Sequence, residues 1–269
     1  MILASAGLAA LFAPWVAPAD PLLITGDRLQ GPSLAHLLGT DLLGRDVLSR
    51  VVHGARLSLG AGALAGVSVM TVGVLVGVVA GYLGGVIDSL LMRLAELVLA
   101  LPGMILAFAI AAVLRPGITA VLVGLVSVWW ASFSRVVRSL VLGLRTRDYI
   151  TASRASGAGH ARVIVRHVLP NVTSQVAVLM TLRMGRLVLA VGGLSFIGLG
   201  PQPPTPEWGA MLNEGRAAFP SYPHVMLAPG LALMTVVLGL NLLGDGLRDA
   251  LDPRTGNLAD ARGLGRETS

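Results

Sequence analysis

Six long uncharged runs constrain the fold of this chain more than any other feature of its sequence. They are residues 1–19, 57–87, 97–114, 116–134, 187–206 and 217–244. Each run approaches or exceeds the roughly 18–20 residues that an apolar helix needs to cross the hydrocarbon core of a bilayer. Charged residues make up only 13% of the chain, about half the share that a soluble domain carries. The sequence therefore predicts an all-α polytopic membrane protein.

The runs predict six transmembrane helices in a single domain over residues 1–255, followed by a tail at 256–269. The expected spans are about 1–19, 57–83, 90–114, 117–136, 174–199 and 224–244. The small residues at 17–19 would suit a signal-peptide cleavage site, but no basic residue precedes them. Because five further spans follow, we interpret residues 1–19 as the first span.

The distribution of arginine predicts how these helices are oriented. Seven Arg fall in residues 135–166 and four in 245–269, against one in 200–222. Because basic residues are enriched on the cytoplasmic side of a membrane, we expect the loop over 137–170 and both termini to be cytoplasmic. Segments 20–56 and 200–222 are then external.

The absence of Lys and Cys excludes several functions. All twenty basic residues are Arg, and the chain has neither Lys nor Cys. A Walker-type phosphate loop needs Lys, and Cys-ligated zinc or a thiol nucleophile needs Cys. The net charge of +6 comes largely from Arg beside the spans, so it reports orientation rather than nucleic-acid binding. We therefore expect no cofactor bound by this chain and no nucleic-acid partner.

Two classes of membrane protein place specific demands on the sequence. An intramembrane serine hydrolase would need Ser195 in a nucleophile elbow, but the following Gly stands at 198, one position too far. A secondary transporter or channel commonly places Asp, Glu or His at mid-membrane for ion coupling. The centres of spans one, two, four and six carry no charge. We expect no catalytic residue and no metal site. A secondary transporter or channel is kept as a less favoured function for the chain.

A short part of the basic loop predicts an exposed helix. Asp148 stands where an N-cap would satisfy backbone N–H groups, and Gly157 stands where a helix would stop. The residues between them are mostly small, so a partner can approach the helix backbone closely. An amphipathic linker on an anionic membrane surface explains the segment equally well when it is taken alone. The candidate residues are Asp148, Tyr149, Thr151, Ala152, Ser153, Arg154, Ala155 and Gly157.

The same segment resembles the cytoplasmic coupling loop of ABC importer permeases. That loop commonly reads Glu-Ala-Ala, three residues, Gly, nine residues, an aliphatic residue, one more, then Leu-Pro. Here Thr-Ala-Ser at 151–153 is followed after three residues by Gly157, and Leu-Pro stands at 169–170 as expected. The sequence departs from the pattern at two of the three leading positions, and His167 replaces the aliphatic residue.

Three further segments resemble the dipeptide, oligopeptide and nickel importer permeases, most closely their second, or "C", permease subunit. They are residues 38–59, 194–209 and 241–254. The resemblance implies a multi-pass permease of the bacterial cytoplasmic (inner) membrane that imports di- or oligopeptides, with nickel or another small cargo as the alternative. It also implies a coupling helix between spans four and five.

The resemblance further implies the partners of the chain. These are a second homologous permease subunit in a heterodimer, two cytoplasmic ATPase subunits that bind ATP and Mg, and an extracytoplasmic substrate-binding protein. The two permease subunits would sit in the lipid bilayer and work by alternating access.

Two other sets of polar residues are candidates for function. One set is Glu207, Trp208, Glu214 and Arg216. It would contact the binding protein or form a lid over the outer mouth of the bundle. The other set is Arg183 and Arg186, one turn apart in span five, which would line the path and attract a peptide carboxylate or form structural pairs. Arg93 and Glu96 in span three suggest a snorkelling pair.

Glycines recur every fourth residue in span two. They stand at 62 and 66 and again at 73, 77, 81 and 85. Such a stripe lets another helix approach closely. An interface with another subunit and packing within the same bundle are equally compatible with it.

Overall fold

The structure, a computed structural model, describes residues 12–251 and Gly7. The predicted tail at 256–269 and most of the predicted first span at 1–19 lie outside the described residues. The described part is helical and contains two isolated β-bridges but no β-strand. Its helices are α1 (Ala13–Val16), α2 (Val47–Leu83), α3 (Gly85–Leu99), α4 (Gly103–Val113), α5 (Ile118–Arg145), α6 (Asp148–Ala155), α7 (His160–Val163), α8 (Leu169–Phe196), α9 (Trp208–Gly215) and α10 (His224–Leu251).

Several of these helices are long and apolar enough to cross a membrane. They are α2, α5, the continuous stretch His160–Phe196 and the part of α10 over His224–Leu247. Helices α3 and α4 together make a fifth candidate if they are counted as one span. The predicted all-helical, polytopic class is confirmed. The sixth span and the side of the membrane on which each terminus lies stay predictions.

The predicted third span, 90–114, is not one continuous helix. Helices α3 and α4 meet at an angle of 89° across a short break. Leu101 precedes Pro102, and a residue before proline is disfavoured in the helical region. Pro102 also has no N–H to continue the hydrogen-bond ladder, and α4 starts again at Gly103. The two halves therefore run in nearly perpendicular directions.

Two helices extend well beyond the apolar runs that predicted them. Helix α2 begins at Val47 rather than near residue 57, because the Asp46 side chain accepts the backbone N–H of Ser49 and caps the helix. Helix α5 continues to Arg145 rather than ending at 136. The last part of the predicted external segment is therefore helical, and so is the first part of the predicted loop over 137–170.

The predicted fifth span, 174–199, belongs to a longer helix. Helix α8 begins at Leu169 and is joined to α7 through a wider, π-type turn over Ile164–Val168. Pro170 has no N–H, and its ring would clash with the carbonyl four residues earlier in a regular helix. A widened turn before a proline accommodates this clash, so α7 and α8 continue as one element.

Helix α2 lies at the centre of the bundle and uses its glycines for contacts inside the chain. Gly77 and Gly81 face Val137 and Val141 of α5, while Gly62 faces Val188 of α8. A methyl group added at Gly77 would lie 2.6 Å from the backbone oxygen of residue 134. These glycines thus serve packing within the bundle, the second of the two interpretations left open by the sequence.

Candidate functional site

Segment 20–46 and helix α9 pack over the end of the bundle at which α2 begins. Asp41, Arg45, Arg50 and Glu214 interlock there, and we call these four residues the ion cluster. Arg45 Nε donates to Asp41 Oδ2 at 2.7 Å, and its Nη2 donates to Glu214 Oε2 at 2.8 Å. Arg50 Nη1 donates to the same two carboxylates. The cluster therefore joins segment 20–46, α2 and α9.

A second set of hydrogen bonds holds α9 on α2. The Ser58 hydroxyl donates to Glu207 Oε1 at 2.9 Å, and the indole N–H of Trp208 donates to the backbone oxygen of Val51 at 2.9 Å. The other oxygen of Glu207 accepts the backbone N–H of Ala210, which caps the start of α9. These bonds fix the orientation of α9 against the bundle.

The four residues predicted to contact a binding protein differ in their placement. Glu207 is fully buried and Trp208 is 2% exposed, while Glu214 is held in the ion cluster. Arg216 is exposed. Glu207, Trp208 and Glu214 therefore face the bundle, whereas Arg216 lies at the surface. We call segment 20–46 together with α9 the lid, because it covers this end of the bundle; closure of the outer mouth and contact with a binding protein both stay predictions.

Sequence reasoning did not single out Asp41, Arg45 and Arg50. Arg50 is 2% exposed and Arg45 is 3% exposed, although long charged side chains usually lie at the surface. The available signal was the balance of four Asp and four Arg within residues 20–56, with Asp41 and Arg45 spaced four apart. Their common partner, Glu214, is distant in sequence and was not predictable from this pattern.

The pKa of Asp41 predicts how the lid responds to acid. Burial on its own would raise this pKa, but backbone N–H groups of Arg45 and Leu43 and the charges of Arg50 and Arg45 hold it below its ordinary value of 3.8. A carboxyl with a lowered folded-state pKa stabilises the fold above its unfolded pKa, and this contribution is lost as the pH falls through the folded value.

We therefore expect the contribution of Asp41 to the thermal unfolding midpoint of the purified protein to stay constant from pH 7 down to about pH 4 and to fall at lower pH. Unfolding is followed in detergent by circular dichroism, with Asp41→Asn as the comparison. The acid-side fall should be shallower in Asp41→Asn, and an equally steep fall in both proteins would assign the effect to other groups.

At the opposite end of α2, helix α6 is short and is anchored mainly by one side chain. Ile150 is fully buried in the same core cluster as Val141 and Val163. The guanidinium of Arg154 lies over the ring of Tyr82, 5.8 Å from its centroid, which adds a cation–π contact to the end of α2. Helix α6 therefore rests on α2, α5 and α7 while most of its surface stays open.

Neighbouring residues determine where α6 begins and ends. Arg147, not Asp148 as predicted, occupies the N-cap position and provides no side-chain cap. Asp148 lies in the first turn, where its charge suits the positive end of the helix dipole. At the other end Gly157 has a φ of +82°, and the backbone N–H of Ala158 donates to the oxygen of Ser153 at 3.1 Å. This Schellman arrangement ends the helix.

The structure brings all eight residues of the predicted coupling segment together in α6 and its closing turn. Seven of them are exposed and Ser153 is partly exposed; the exposed ones are Asp148, Tyr149, Thr151, Ala152, Arg154, Ala155 and Gly157. Small side chains at 151, 152 and 155 leave the backbone of this face accessible. Such a face suits close docking against another protein.

A charged groove runs between α3 and α5. Asp88 of α3 accepts two hydrogen bonds from Arg138 of α5, at 2.5 and 2.6 Å. A pocket of about 530 Å³ opens beside this pair and is also lined by Arg93, Glu96 and Arg135. The ion pair on α3 is thus Asp88 with Arg138, whereas the suggested Arg93–Glu96 pair does not form among the described side chains.

A second pocket, of about 350 Å³, lies between α5, α8 and the junction of α3 with α4. Arg183 and Arg186 of α8 line it together with Trp129 and Ser132 of α5. Arg183 Nη1 donates to the Ser132 hydroxyl at 3.4 Å. The same guanidinium lies 5.7 Å from the ring centroid of Phe133. Among the described side chains no carboxylate forms an ion pair with either arginine, so the predicted structural pairs are not seen there.

Membrane-crossing helices packed around α2, with a lid over one end and a charged groove between α3 and α5, describe a polytopic membrane protein. The family described as binding-protein-dependent transport system inner membrane component matches residues 73–257. The chain belongs to this family and is a multi-pass transport subunit of the bacterial inner membrane. Its predicted place among the dipeptide, oligopeptide and nickel importer permeases is confirmed.

Several relatives carry descriptive names. The dipeptide transport system permease protein DppC of Alkalihalophilus pseudofirmus is 43% identical over 94% of this chain and 84% of its own length. The glutathione transport system permease protein GsiD of Escherichia coli is 46% identical over 91% of this chain and 82% of its own length. The nickel transport system permease protein NikC of Escherichia coli is 44% identical over 94% of this chain and 92% of its own length.

A solved structure shares the fold. The inward-facing MetNI methionine ABC transporter aligns with a TM-score of 0.59 at 21% identity, covering 75% of this chain and 96% of the matched chain. Identity at this level is evidence for the fold alone.

Proposed function

We propose that this chain is the permease subunit of an ATP-driven importer and forms half of its translocation path for di- and oligopeptides. A second, homologous permease would form the other half, with two ATPase subunits on the cytoplasmic side and a substrate-binding protein outside. ATP and Mg would bind to the ATPase subunits, because this chain has no Lys for a Walker-type loop. The names of the dipeptide and glutathione relatives support the peptide cargo.

Helix α6 is the observation that carries this proposal. It exposes a face of small residues, and it is held to the bundle by Ile150, the fully buried side chain of the helix. A docked ATPase would bind the exposed face and move α6 as a rigid unit. The stretch His160–Phe196 follows α6 directly as one continuous helix, so displacement of α6 would tilt α8 and the arginines of its pocket. This gives the alternating-access step a physical route.

The lid supports the same arrangement from the other side. Under the positive-inside rule the α6 end is cytoplasmic, and segment 20–46 with α9 is then external. Arg216 is exposed beside the buried ion cluster, where it would meet a binding protein. By linkage, docking of the loaded binding protein outside would favour closure of the ATPase dimer inside.

The arginine pocket favours a carboxylate-bearing cargo over a free nickel ion. Arg183 and Arg186 place two positive charges on the groove, and positive charge in a path repels a divalent cation. Nickel nevertheless remains the alternative cargo, because the NikC relative is 44% identical over 94% of this chain. A nickel complex with a negatively charged ligand would be compatible with the same pocket.

Replacing Ala152 by Trp tests the role of α6. Ala152 is exposed, so the bulky ring should leave folding of this chain intact but prevent close docking of the ATPase. We expect at least a tenfold loss of peptide uptake by proteoliposomes of the complete importer, since a loss of about 1.4 kcal/mol in docking already gives a factor of ten. Stimulation of ATP hydrolysis by loaded binding protein should fall in parallel.

Ser221→Trp is the matched control for ATPase docking alone, because Ser221 is exposed at the opposite end of the bundle, on the side proposed to face the binding protein. It should keep ATPase docking, which is measured by co-purification of the ATPase subunits. Normal uptake by the Ala152→Trp importer would contradict the docking role of α6. Continued uptake after loss of the ATPase subunits would contradict ATP-driven transport itself.

A further inference from the structure

The two arginines of the second pocket lie at a depth where an unpaired charge needs a reason. Arg183 lies in α8 (Leu169–Phe196), roughly 20 Å from the end at Phe196 and roughly 35 Å from His160, where the continuous helix begins, at 1.5 Å per residue. Ionisable side chains at such depth are costly and usually face a partner group or a water-filled cavity. The contacts of Arg183 with Ser132 and Phe133 are neutral and use few of the five N–H donors of a guanidinium.

The pocket combines these charges with apolar walls. Arg183 and Arg186 are three residues apart on one face of α8, so both guanidinium groups can contact the same ligand. Leu99, Val128 and Trp129 line the rest of the space. The volume of about 350 Å³ is within the range of small-molecule sites. A small molecule with one carboxylate and an apolar remainder matches both parts of this lining.

The neighbouring groove adds charge of both signs. Arg135 lies one turn beyond Ser132 on α5, and Glu96 lies one turn before Leu99 on α3. A polar route therefore leads from the arginine pocket along α3 and α5.

We propose that Arg183 and Arg186 form a carboxylate-binding subsite that recognises the C-terminal carboxylate of the cargo midway along the translocation path. Guanidinium and carboxylate form strong, bidentate hydrogen bonds in a site of low dielectric. The apolar lining receives the side chain beside that carboxylate. This inference rests on the proposed function, because it assumes that peptides pass along this groove.

The test compares a dipeptide with its C-terminal amide. The complete importer is reconstituted in proteoliposomes, and alanyl-phenylalanine and its amide are each presented as loaded binding protein. Uptake is expressed per loaded binding protein, which removes selection by that protein. The wild type should take up the free acid at least tenfold faster than the amide, because hydrogen bonds to a charged group typically discriminate by this much or more.

In Arg183→Gln/Arg186→Gln, uptake of the acid should fall about tenfold, to the rate of the amide, while uptake of the amide changes less than twofold. The variant Arg183→Lys/Arg186→Lys should retain a preference for the acid, since both charges remain. Arg115→Gln is the control for loss of positive charge, because Arg115 is exposed between α4 and α5.

Equal loss of acid and amide uptake would overturn the subsite and assign the arginines to packing or to an ion pair with another subunit. Unchanged acid uptake would overturn it as well. If wild-type vesicles take up neither dipeptide while loaded binding protein still stimulates ATP hydrolysis, the peptide cargo of the proposed function fails and the subsite fails with it. Uptake of both dipeptides without discrimination removes the subsite alone.

Discussion

Replacement of Gly77 by Leu is expected to disrupt the central packing of α2 against α5. The Cβ atom alone would lie 2.6 Å from the backbone oxygen of residue 134 and 2.6 Å from Cβ of Val137. Neither atom is the end of a flexible side chain, so the two helices must separate. Overpacking of a core costs about 1–3 kcal/mol where side chains can adjust, and a clash with backbone should exceed the upper end of that range.

Gly60→Leu is the matched control for this change. Gly60 belongs to the same helix, but a Cβ at this position meets no atom within 4 Å. We expect Gly60→Leu to accumulate in membranes and to unfold in detergent near the wild-type temperature. Gly77→Leu should accumulate poorly or unfold at least several degrees lower. Similar stability of the two variants would show that α2 and α5 do not pack as described.

The same comparison separates the two interpretations of the glycine stripe. An interface with another subunit would let Gly77→Leu fold normally as a single chain and fail only in assembly. Packing within the bundle makes the isolated chain unstable, which is the result we expect. Co-purification of the second permease therefore adds a second measurement to the same pair of variants.

Some features were predictable because their causes are local. Run length alone predicts membrane-crossing helices, and small residues followed by Gly157 predict a short helix that ends in a left-handed residue. The break before α4 was also present in the sequence, as Leu-Pro-Gly at 101–103. Hydropathy alone does not reveal this break, because an apolar residue before proline still counts as apolar although its backbone is disfavoured in the helical region.

Other features depend on partners that are distant along the chain. The apolar run predicts a start of α2 near residue 57, because Arg56 ends the run; nearer the true start of the helix the pattern is interrupted again by Arg50. Its charge is balanced by Glu214, which is 164 positions away. Likewise, the sequence placed Glu207 and Trp208 in a polar external loop, and only the fold shows that both are buried against α2. A local sequence pattern shows where apolar residues lie, but it does not show which distant residue will neutralise a buried charge.

Replacement of Arg50 by Met is expected to weaken the lid more than any other single change in it. Arg50 is 2% exposed and contacts both Asp41 and Glu214. Methionine retains much of the side-chain length but leaves Arg45 alone to neutralise the buried carboxylate of Asp41 and the partly buried carboxylate of Glu214. Removal of one partner from a buried ion pair typically costs about 3–5 kcal/mol. We therefore expect a loss of about 3 kcal/mol or more in the free energy of unfolding.

The measurement is thermal and chemical unfolding of the purified protein in detergent, and Arg115→Gln controls for loss of an exposed arginine.

The double variant Arg50→Met/Glu214→Leu provides a sharper test, because it removes one charge of each sign and leaves the Asp41–Arg45 pair intact. Apolar replacement of a complete buried pair is often close to neutral, so the double variant should recover much of the lost stability. A double variant as unstable as the sum of its two single changes would show that Arg50 and Glu214 do not interact. Recovery would instead establish that the contact between Arg50 and Glu214 holds α9 against α2 in the wild type.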